Sequence, residues 1–161
     1  MLRQGGFANW CGRAGLACLL GLVSSARSLR ISDAAKGIER RRHLRMIALA
    51  TGLGDKSVSL VYESVLRKEQ LKLWVERCEA QVSGALDVLE KERAQVETPY
   101  FFGERIGHSD IALACVLRFT GEAHPELYKA ARYPALSAHA AQCEALPAFR
   151  EIVQPLAPPK G

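Results

Sequence analysis

Apolar residues recur along this chain at helical intervals, and no stretch shows the regular alternation typical of a β-strand. The first pattern runs from about Gly37 to Arg67, the second from Leu71 to about Arg93, and the third from about His108 to Phe119. A fourth helix is predicted from Pro134 to Leu146, and Pro147 opens a short final segment. The sequence therefore predicts an all-α fold, a helical bundle.

The third helix is the most distinctive, because it is apolar on nearly every side. A helix of this composition packs inside a bundle rather than on its surface. Its start carries a folding signal, with Gly107 at the N-cap, Asp110 at the third helical position, and Ile106 and Ile111 as a hydrophobic staple. Asp110 also places a negative charge at the positive end of the helix dipole. These four residues are predicted to fix the start of a buried central helix near residues 108–119.

The first helix carries two apolar stripes on nearly opposite sides. The first stripe consists of Leu44, Ile47, Ala48, Val58, Tyr62 and Val65, and the second of Met46, Leu49, Leu53 and Leu60. Because a helix with two apolar stripes needs two partners, we expect the bundle to cover one and a second subunit or another domain to cover the other. Gly52 and Gly54 predict a kink or a close contact, since glycine weakens a helix.

Polar residues interrupt the first stripe at regular spacing. Thr51, Asp55 and Ser59 are four residues apart, and Tyr62 lies nearby on the same face. An acid in an apolar stripe costs free energy unless it is hydrogen-bonded or faces a wet cleft. Two interpretations stay open: Asp55 bonds a neighbouring group, or the four residues border a ligand pocket.

Other candidate chemistry is sparse. The five cysteines form no C-x-x-C pair and lack the spacing of a zinc site, so we expect no metal centre and instead reduced thiols. Four histidines are too dispersed to form a ligand set, and each is predicted to be a surface or helix-end residue: His43, His108, His124 and His139. No motif in the sequence supplies a catalytic residue.

The length of 161 residues fits about one domain, and the net charge of +5 is concentrated at one end. Residues 1–45 hold nine Lys and Arg against two acids, whereas the remainder holds thirteen against fifteen. The predicted helical domain therefore lacks a basic excess, and we expect no nucleic-acid binding.

Residues 1–36 are predicted to form an N-terminal extension, and residues 37–161 the helical domain. Three interpretations of the extension stay open: a secretory or transit signal within residues 1–26, a poorly ordered remnant, or an incorrectly chosen start. Its apolar run of about nine residues is shorter than the ~20 needed to span a bilayer. We expect a cytoplasmic protein, with export or transit as the alternative.

The run Gly107-His108-Ser109-Asp110 and the apolar helix after it resemble the buried central helix of the glutathione S-transferase C-terminal domain. That family's signature is Ser/Thr-x-x-Asp, and here glycine stands in the position of the hydroxyl residue. The resemblance extends upstream to Glu39-Arg40-Arg41-Arg42 and downstream through Tyr133-Pro134-Ala135-Leu136 to Phe149. It covers about residues 37–155.

The resemblance implies a domain that binds a small hydrophobic electrophile and forms dimers, in proteins that transfer glutathione to that electrophile. It favours the pocket interpretation of Thr51, Asp55, Ser59 and Tyr62, because the corresponding family helix faces the glutathione-binding domain. That thioredoxin-like domain supplies the catalytic residue. Residues 1–36 are too short for it and contain no proline, so we expect it to be missing from this chain.

The resemblance therefore assigns no catalytic residue here, and glutathione enters as a co-substrate of the family rather than as a cofactor bound by this chain. The expected partner is a second copy or a separate thioredoxin-like domain, and transfer by this chain alone is expected to be impaired. The alternative is a non-catalytic helical module that binds a ligand or another protein.

Overall fold

The computed structural model describes residues 36–153 and 156–157 of the chain. Five helices account for most of them: α1 (Gly37–Leu66), α2 (Lys72–Ala94), α3 (His108–Ala123), α4 (Pro134–Glu144) and α5 (Pro147–Glu151). The described residues contain no β-strand, only an isolated bridge between Tyr100 and Gly103. The predicted all-α fold is confirmed.

Helix α3 is the centre of the bundle. It packs against α1 and α4, while α1 also packs along α2. Leu113, Ala114 and Leu117 of α3 are buried. The second stripe of α1 contributes Met46 and Leu53 to the same core, where they join Val82, Leu86 and Leu89 of α2. The helix that is apolar on nearly every side thus lies inside the bundle, as its composition predicts.

Helices α1 and α3 approach closely at Gly54. A Cβ atom built on Gly54 would lie 3.2 Å from a γ-carbon of Val116, whereas one on Gly52 would have no neighbour within 4 Å. The close contact that the sequence predicts is therefore formed at Gly54, and no such contact is formed at Gly52.

Carboxylates from neighbouring segments bond the starts of two helices. Glu90 of α2 accepts hydrogen bonds from the backbone N–H groups of Ala135 and Leu136, both at 2.9 Å, in the first turn of α4. The buried Glu63 of α1 accepts one from Leu71 N, at 2.7 Å, just before α2. These N–H groups have no partner within their own helices, and negative charge is favourable at a helix N-terminus. The contacts dock α4 on α2 and α2 on α1.

The end of α3 differs from the prediction. The sequence pattern predicted an end near Phe119, but α3 continues to Ala123 and the chain leaves helical geometry at His124. The stop precedes Pro125, which disfavours helical geometry in the residue before it. Gly121 lies within α3 and allows a close contact, since a Cβ there would lie 3.2 Å from the ring of Tyr128. Helix α4 likewise ends at Glu144, two residues before the predicted Leu146.

Among the described helices, none combines the length and apolar character that a membrane span requires. The interpretations of residues 1–36 concern a segment that, apart from Lys36, lies outside the described part of the chain. The division into an extension and a helical domain at that point stays a prediction.

Candidate functional site

One long face of α1 is only partly covered by the other described parts of the chain. We call it the outer face of α1, and it consists of Leu44, Ile47, Ala48, Thr51, Asp55, Val58, Ser59 and Tyr62. Leu44 is 49% exposed. The opposite stripe, with Met46 and Leu53, is buried in the core. The described bundle thus buries one of the two stripes and leaves the other partly exposed.

The four residues of the expected substrate site lie on this outer face. Thr51 and Asp55 are exposed, and Ser59 and Tyr62 are partly exposed. The hydroxyl of Thr51 donates to the carbonyl groups of Ile47 and Ala48, at 3.0 and 3.1 Å. The hydroxyl of Ser59 donates to the carbonyl of Asp55 at 2.7 Å. Both hydroxyl protons are therefore used within α1, which leaves the oxygen lone pairs as acceptors.

The carboxylate of Asp55 is not bonded within α1, in contrast to the hydroxyl groups of Thr51 and Ser59. No group in the described chain forms a hydrogen bond or an ion pair with its carboxylate, although the sequence left open that a neighbouring group satisfies it. Exposure to water explains why the acid is tolerated in an apolar stripe. The outer face of α1 therefore offers one open carboxylate beside two hydroxyl acceptors and exposed aliphatic side chains. Its residues line neither the cavity of about 490 Å³ at the end of the bundle nor the cavity of about 380 Å³ between α3 and α4.

The start of α3 is held by Asp110. Its Oδ2 accepts a hydrogen bond from Gly107 N at 2.8 Å, and its Oδ1 accepts one from Phe101 N at 2.9 Å. Gly107 is the N-cap residue, and Ile106 and Ile111 lie in one buried cluster on either side of it. Burial raises the pKa of the Asp110 carboxyl, and the two N–H groups lower it in part. Asp110 thus ties the preceding loop to the helix, which is a structural task.

A second polar group beside Asp110 was missed from the sequence. His139 Nε2 lies 3.5 Å from Asp110 Oδ1, and Cys143 Sγ lies 3.8 Å from the same nitrogen. An acid, an imidazole and a thiol thus lie together, but both contacts involve Nε2, whereas a nucleophilic triad uses the two different ring nitrogens. Burial first, and the Asp110 charge second, raise the pKa of Cys143 to about 12. Because a thiolate is the reactive form, this buried thiol is unsuited to catalysis.

The predicted positions of the histidines are wrong in two cases. His43 is buried and stacks on Phe102, with ring centroids 3.6 Å apart, and His139 is buried as described above. His124 follows the end of α3 as expected, but its ring is also buried. The only sign of this burial in the sequence is that the histidines fall on core-facing sides of helices. His139, for example, lies four residues before the buried Cys143. Within the described residues, no group of three or more His, Cys, Asp or Glu side chains could hold a metal ion.

Comparison with known families and structures shows what the helical part of this chain is similar to. Residues 73–142 match the sequence model of the glutathione S-transferase C-terminal domain. No curated protein sequence matches the chain significantly.

Three solved structures illustrate the likeness. A glutathione transferase family member from Pseudomonas fluorescens Pf-5, with bound S-(propanoic acid)-glutathione, is 28% identical, covers 78% of this chain over 63% of its own, and superposes with a TM-score of 0.68. A glutathione S-transferase from Methylobacillus flagellatus KT, with glutathione bound, is 23% identical over 76% of this chain and 60% of its own, with a TM-score of 0.69.

The third, from Methylobacterium radiotolerans in complex with glutathione sulfonate, is 22% identical over 88% of this chain and 66% of its own, with a TM-score of 0.72. This chain thus spans less than two thirds of each of the three proteins. The family resemblance seen in the sequence is confirmed for the helical domain.

Proposed function

Because the described bundle is a helical domain of the glutathione S-transferase C-terminal type, we propose that it acts as the substrate-side half of a glutathione transferase. In this proposal the outer face of α1 packs against a glutathione-binding, thioredoxin-like domain or a second subunit. Its polar residues border a small hydrophobic electrophile. The sulfur of glutathione bonds to the electrophilic carbon as the leaving group departs, and the thiol proton is released.

The observation that carries this proposal is the open outer face of α1. An exposed apolar stripe on a long helix is a feature of interaction sites, and Leu44 and Ala48 are exposed within it. The relatives with bound glutathione or its derivatives are longer than the matched region. The part of each relative that lies outside the matched region supports the proposal of a glutathione-binding partner for this face. The bound glutathione compounds support glutathione as the co-substrate.

The polar part of the outer face suggests how the substrate would be oriented. Asp55 offers an open carboxylate, and the lone pairs of Thr51 and Ser59 add two acceptors in the same row. When a partner domain covers the face, the local dielectric falls and each of these contacts strengthens. We propose that the aliphatic residues bind the body of the electrophile, while Asp55 accepts from donors on the substrate or the partner domain.

Three further aspects belong to this proposal. A homodimer is expected, because C₂ pairs are the commonest oligomers. A cytoplasmic location is proposed, because the buried cysteines Cys78 and Cys143 are thiols rather than disulfides, as in reducing compartments. Catalysis by the 161 residues alone is expected to be absent or weak, since no described residue fits the role of the catalytic group.

A fusion experiment tests the proposal. The glutathione-binding domain of the Pseudomonas fluorescens relative is joined ahead of residue 37, and conjugation of 1-chloro-2,4-dinitrobenzene is measured alongside the unfused 161-residue chain. We expect turnover and retention on immobilised glutathione for the fusion and neither for the chain alone. A fusion that folds but shows no turnover above the relative's isolated domain argues against the proposal, and so does full turnover by the chain alone.

The alternative function, a non-catalytic ligand-binding module, is favoured by a separate observation: a cavity at the end of the bundle that shares no residue with the outer face of α1. The two functions are distinguished by turnover of the fusion, which only the transferase proposal requires.

A further inference from the structure

A cavity of about 490 Å³ lies at one end of the bundle. The C-terminal part of α1, the first part of α2 and the end of α3 meet around it, and Leu156 from the C-terminal segment completes its wall. The volume falls within the range of roughly 300–1,000 Å³ that is typical of small-molecule sites. None of the residues that line the cavity belongs to the outer face of α1, so a ligand here would not contact that face.

The wall of the cavity is largely aliphatic. Leu60 and Val61 of α1 are buried side chains, 6% and 5% exposed, and Val65 and Val75 are partly exposed beside them. These four side chains offer an apolar surface to a hydrocarbon group. Removing such a group from water is favourable by roughly 25 cal/mol per Å².

Among the described residues, the charged side chains that line the cavity all have the same sign. They are Glu79, Glu122 and Glu126, and no described lysine or arginine lines it. Glu122 is already engaged, since it accepts from Leu156 N at 2.8 Å and pairs with Arg118 at 3.4 Å. Glu79 and Glu126 are exposed, so their carboxylates are accessible to a ligand. The cavity therefore favours a cation over an anion.

His124 adds a directed acceptor to this wall. The residue is only 8% exposed, and its Nε2 lies 2.8 Å from the carbonyl oxygen of Ser57. Because a carbonyl oxygen can only accept, Nε2 carries the proton, and Nδ1 of the neutral ring is an acceptor. Glu126 Oε1 lies 4.0 Å from Nδ1, too far for a hydrogen bond. Two acceptors thus lie close together at the cavity without a donor between them.

We propose that this cavity is a binding site for a small amphipathic amine. The ammonium group, which has only donors, bonds to Nδ1 of His124 and to the Glu126 carboxylate. The hydrocarbon body packs on Leu60 and Val61. The site is separate from the proposed transferase function and does not depend on it.

The proposal is tested with three probes that share one hydrocarbon body: 4-phenylbutylamine, 4-phenylbutanol and 4-phenylbutyrate. Their dissociation constants for the full 161-residue chain are measured by calorimetry and by NMR titration. We expect the amine to bind about tenfold more tightly than the alcohol, since hydrogen bonds to charged groups contribute about 1.5–3 kcal/mol. The carboxylate is expected to bind most weakly. Equal affinity of amine and alcohol, or no saturable binding of the amine, overturns the proposal.

Two variants locate the site. Glu126→Gln removes the charge at an exposed position and is expected to weaken amine binding about two- to fivefold, the range for a partly exposed ion pair. Its matched control is Glu104→Gln, an exposed carboxylate in the loop before α3, for which no change is expected. Ser64→Phe fills the cavity, and in a variant whose circular dichroism matches the parent it should abolish binding of the amine and the alcohol. An equal loss in the Glu104 control, or unchanged binding by Ser64→Phe, contradicts the assignment.

Discussion

The stability of the bundle is predicted to depend on His139 as the pH is lowered. Its ring is fully buried in α4, where it meets groups from three other parts of the chain. The titratable or charged neighbours are Asp110 of α3, Arg93 of α2, Cys143 of α4 and Tyr100 of the loop between α2 and α3. Burial, and after it the charge of Arg93, lower the pKa of His139 from its ordinary 6.5 to about 4. The folded protein therefore holds the neutral ring.

The size of the effect follows from the difference between the folded and unfolded proteins. In the unfolded chain the ring takes up its proton near pH 6.5, whereas the folded bundle resists protonation until about pH 4. His139 thus reduces stability as the pH falls from 6.5 to 4 and reduces it no further below that. At about 1.4 kcal/mol per pKa unit, the loss is on the order of 3 kcal/mol. This is a large part of the ~5–15 kcal/mol that stabilises a typical domain.

Urea unfolding at several pH values between 4 and 8 measures this loss. The reference variants are His139→Phe, which keeps a ring against Phe101, and His139→Gln, which keeps a polar side chain. Either variant removes the titration of His139 but leaves the other groups in place. We expect the parent to lose about 3 kcal/mol more than the variant between pH 6.5 and 4. Parallel pH profiles for the parent and both variants would refute the reasoning.

Three other substitutions test the packing and the site. Gly52→Ala should raise the free energy of unfolding by about 1 kcal/mol, whereas Gly54→Ala should lose that gain because its Cβ would crowd Val116; urea unfolding compares the pair. Glu90→Gln should cost about 1 kcal/mol by the same measurement, because it weakens the two bonds at the start of α4, and an unchanged midpoint would contradict this. Asp55→Ala in the fused transferase should raise KM for the electrophile and leave the melting temperature unchanged; a lower melting temperature with unchanged KM would indicate a structural role instead.

The sequence predicted the elements of the fold well because their signals are local. The boundaries of α1 and α2 lie within one residue of the prediction, since each pattern is long and strongly periodic. The start of α3 at His108 was also predicted, because Asp110 and the two isoleucines mark it directly. The end of α3 was not predicted. Gly121 lies within the helix and packs closely on Tyr128, and this contact is formed only in the folded bundle.

The site was predictable only in part. The two stripes of α1 indicated that one face needs a second partner, and the four polar residues do lie on the open face. The exposure of the Asp55 carboxylate could not be foreseen, because it depends on which neighbours fail to reach it. The contacts of His139 and His124 join residues 29 and 67 positions apart in the chain. No local pattern marks such pairs, so the sequence alone predicted each of these histidines only as a surface or helix-end residue.

We expect a partner to cover the outer face of α1, and the accessibility of a thiol placed on that face tests this. Ala48→Cys places a thiol on this face, and Ala138→Cys places a matched thiol at an exposed position of α4. The rate of maleimide labelling is measured for each in the 161-residue chain, diluted to a monomer, and in the fusion with the glutathione-binding domain. We expect the fusion to slow labelling at position 48 by about tenfold, equivalent to about 1.4 kcal/mol of protection, and to leave position 138 unchanged. Equal labelling at position 48 in both proteins would show that the face stays open and would contradict the account.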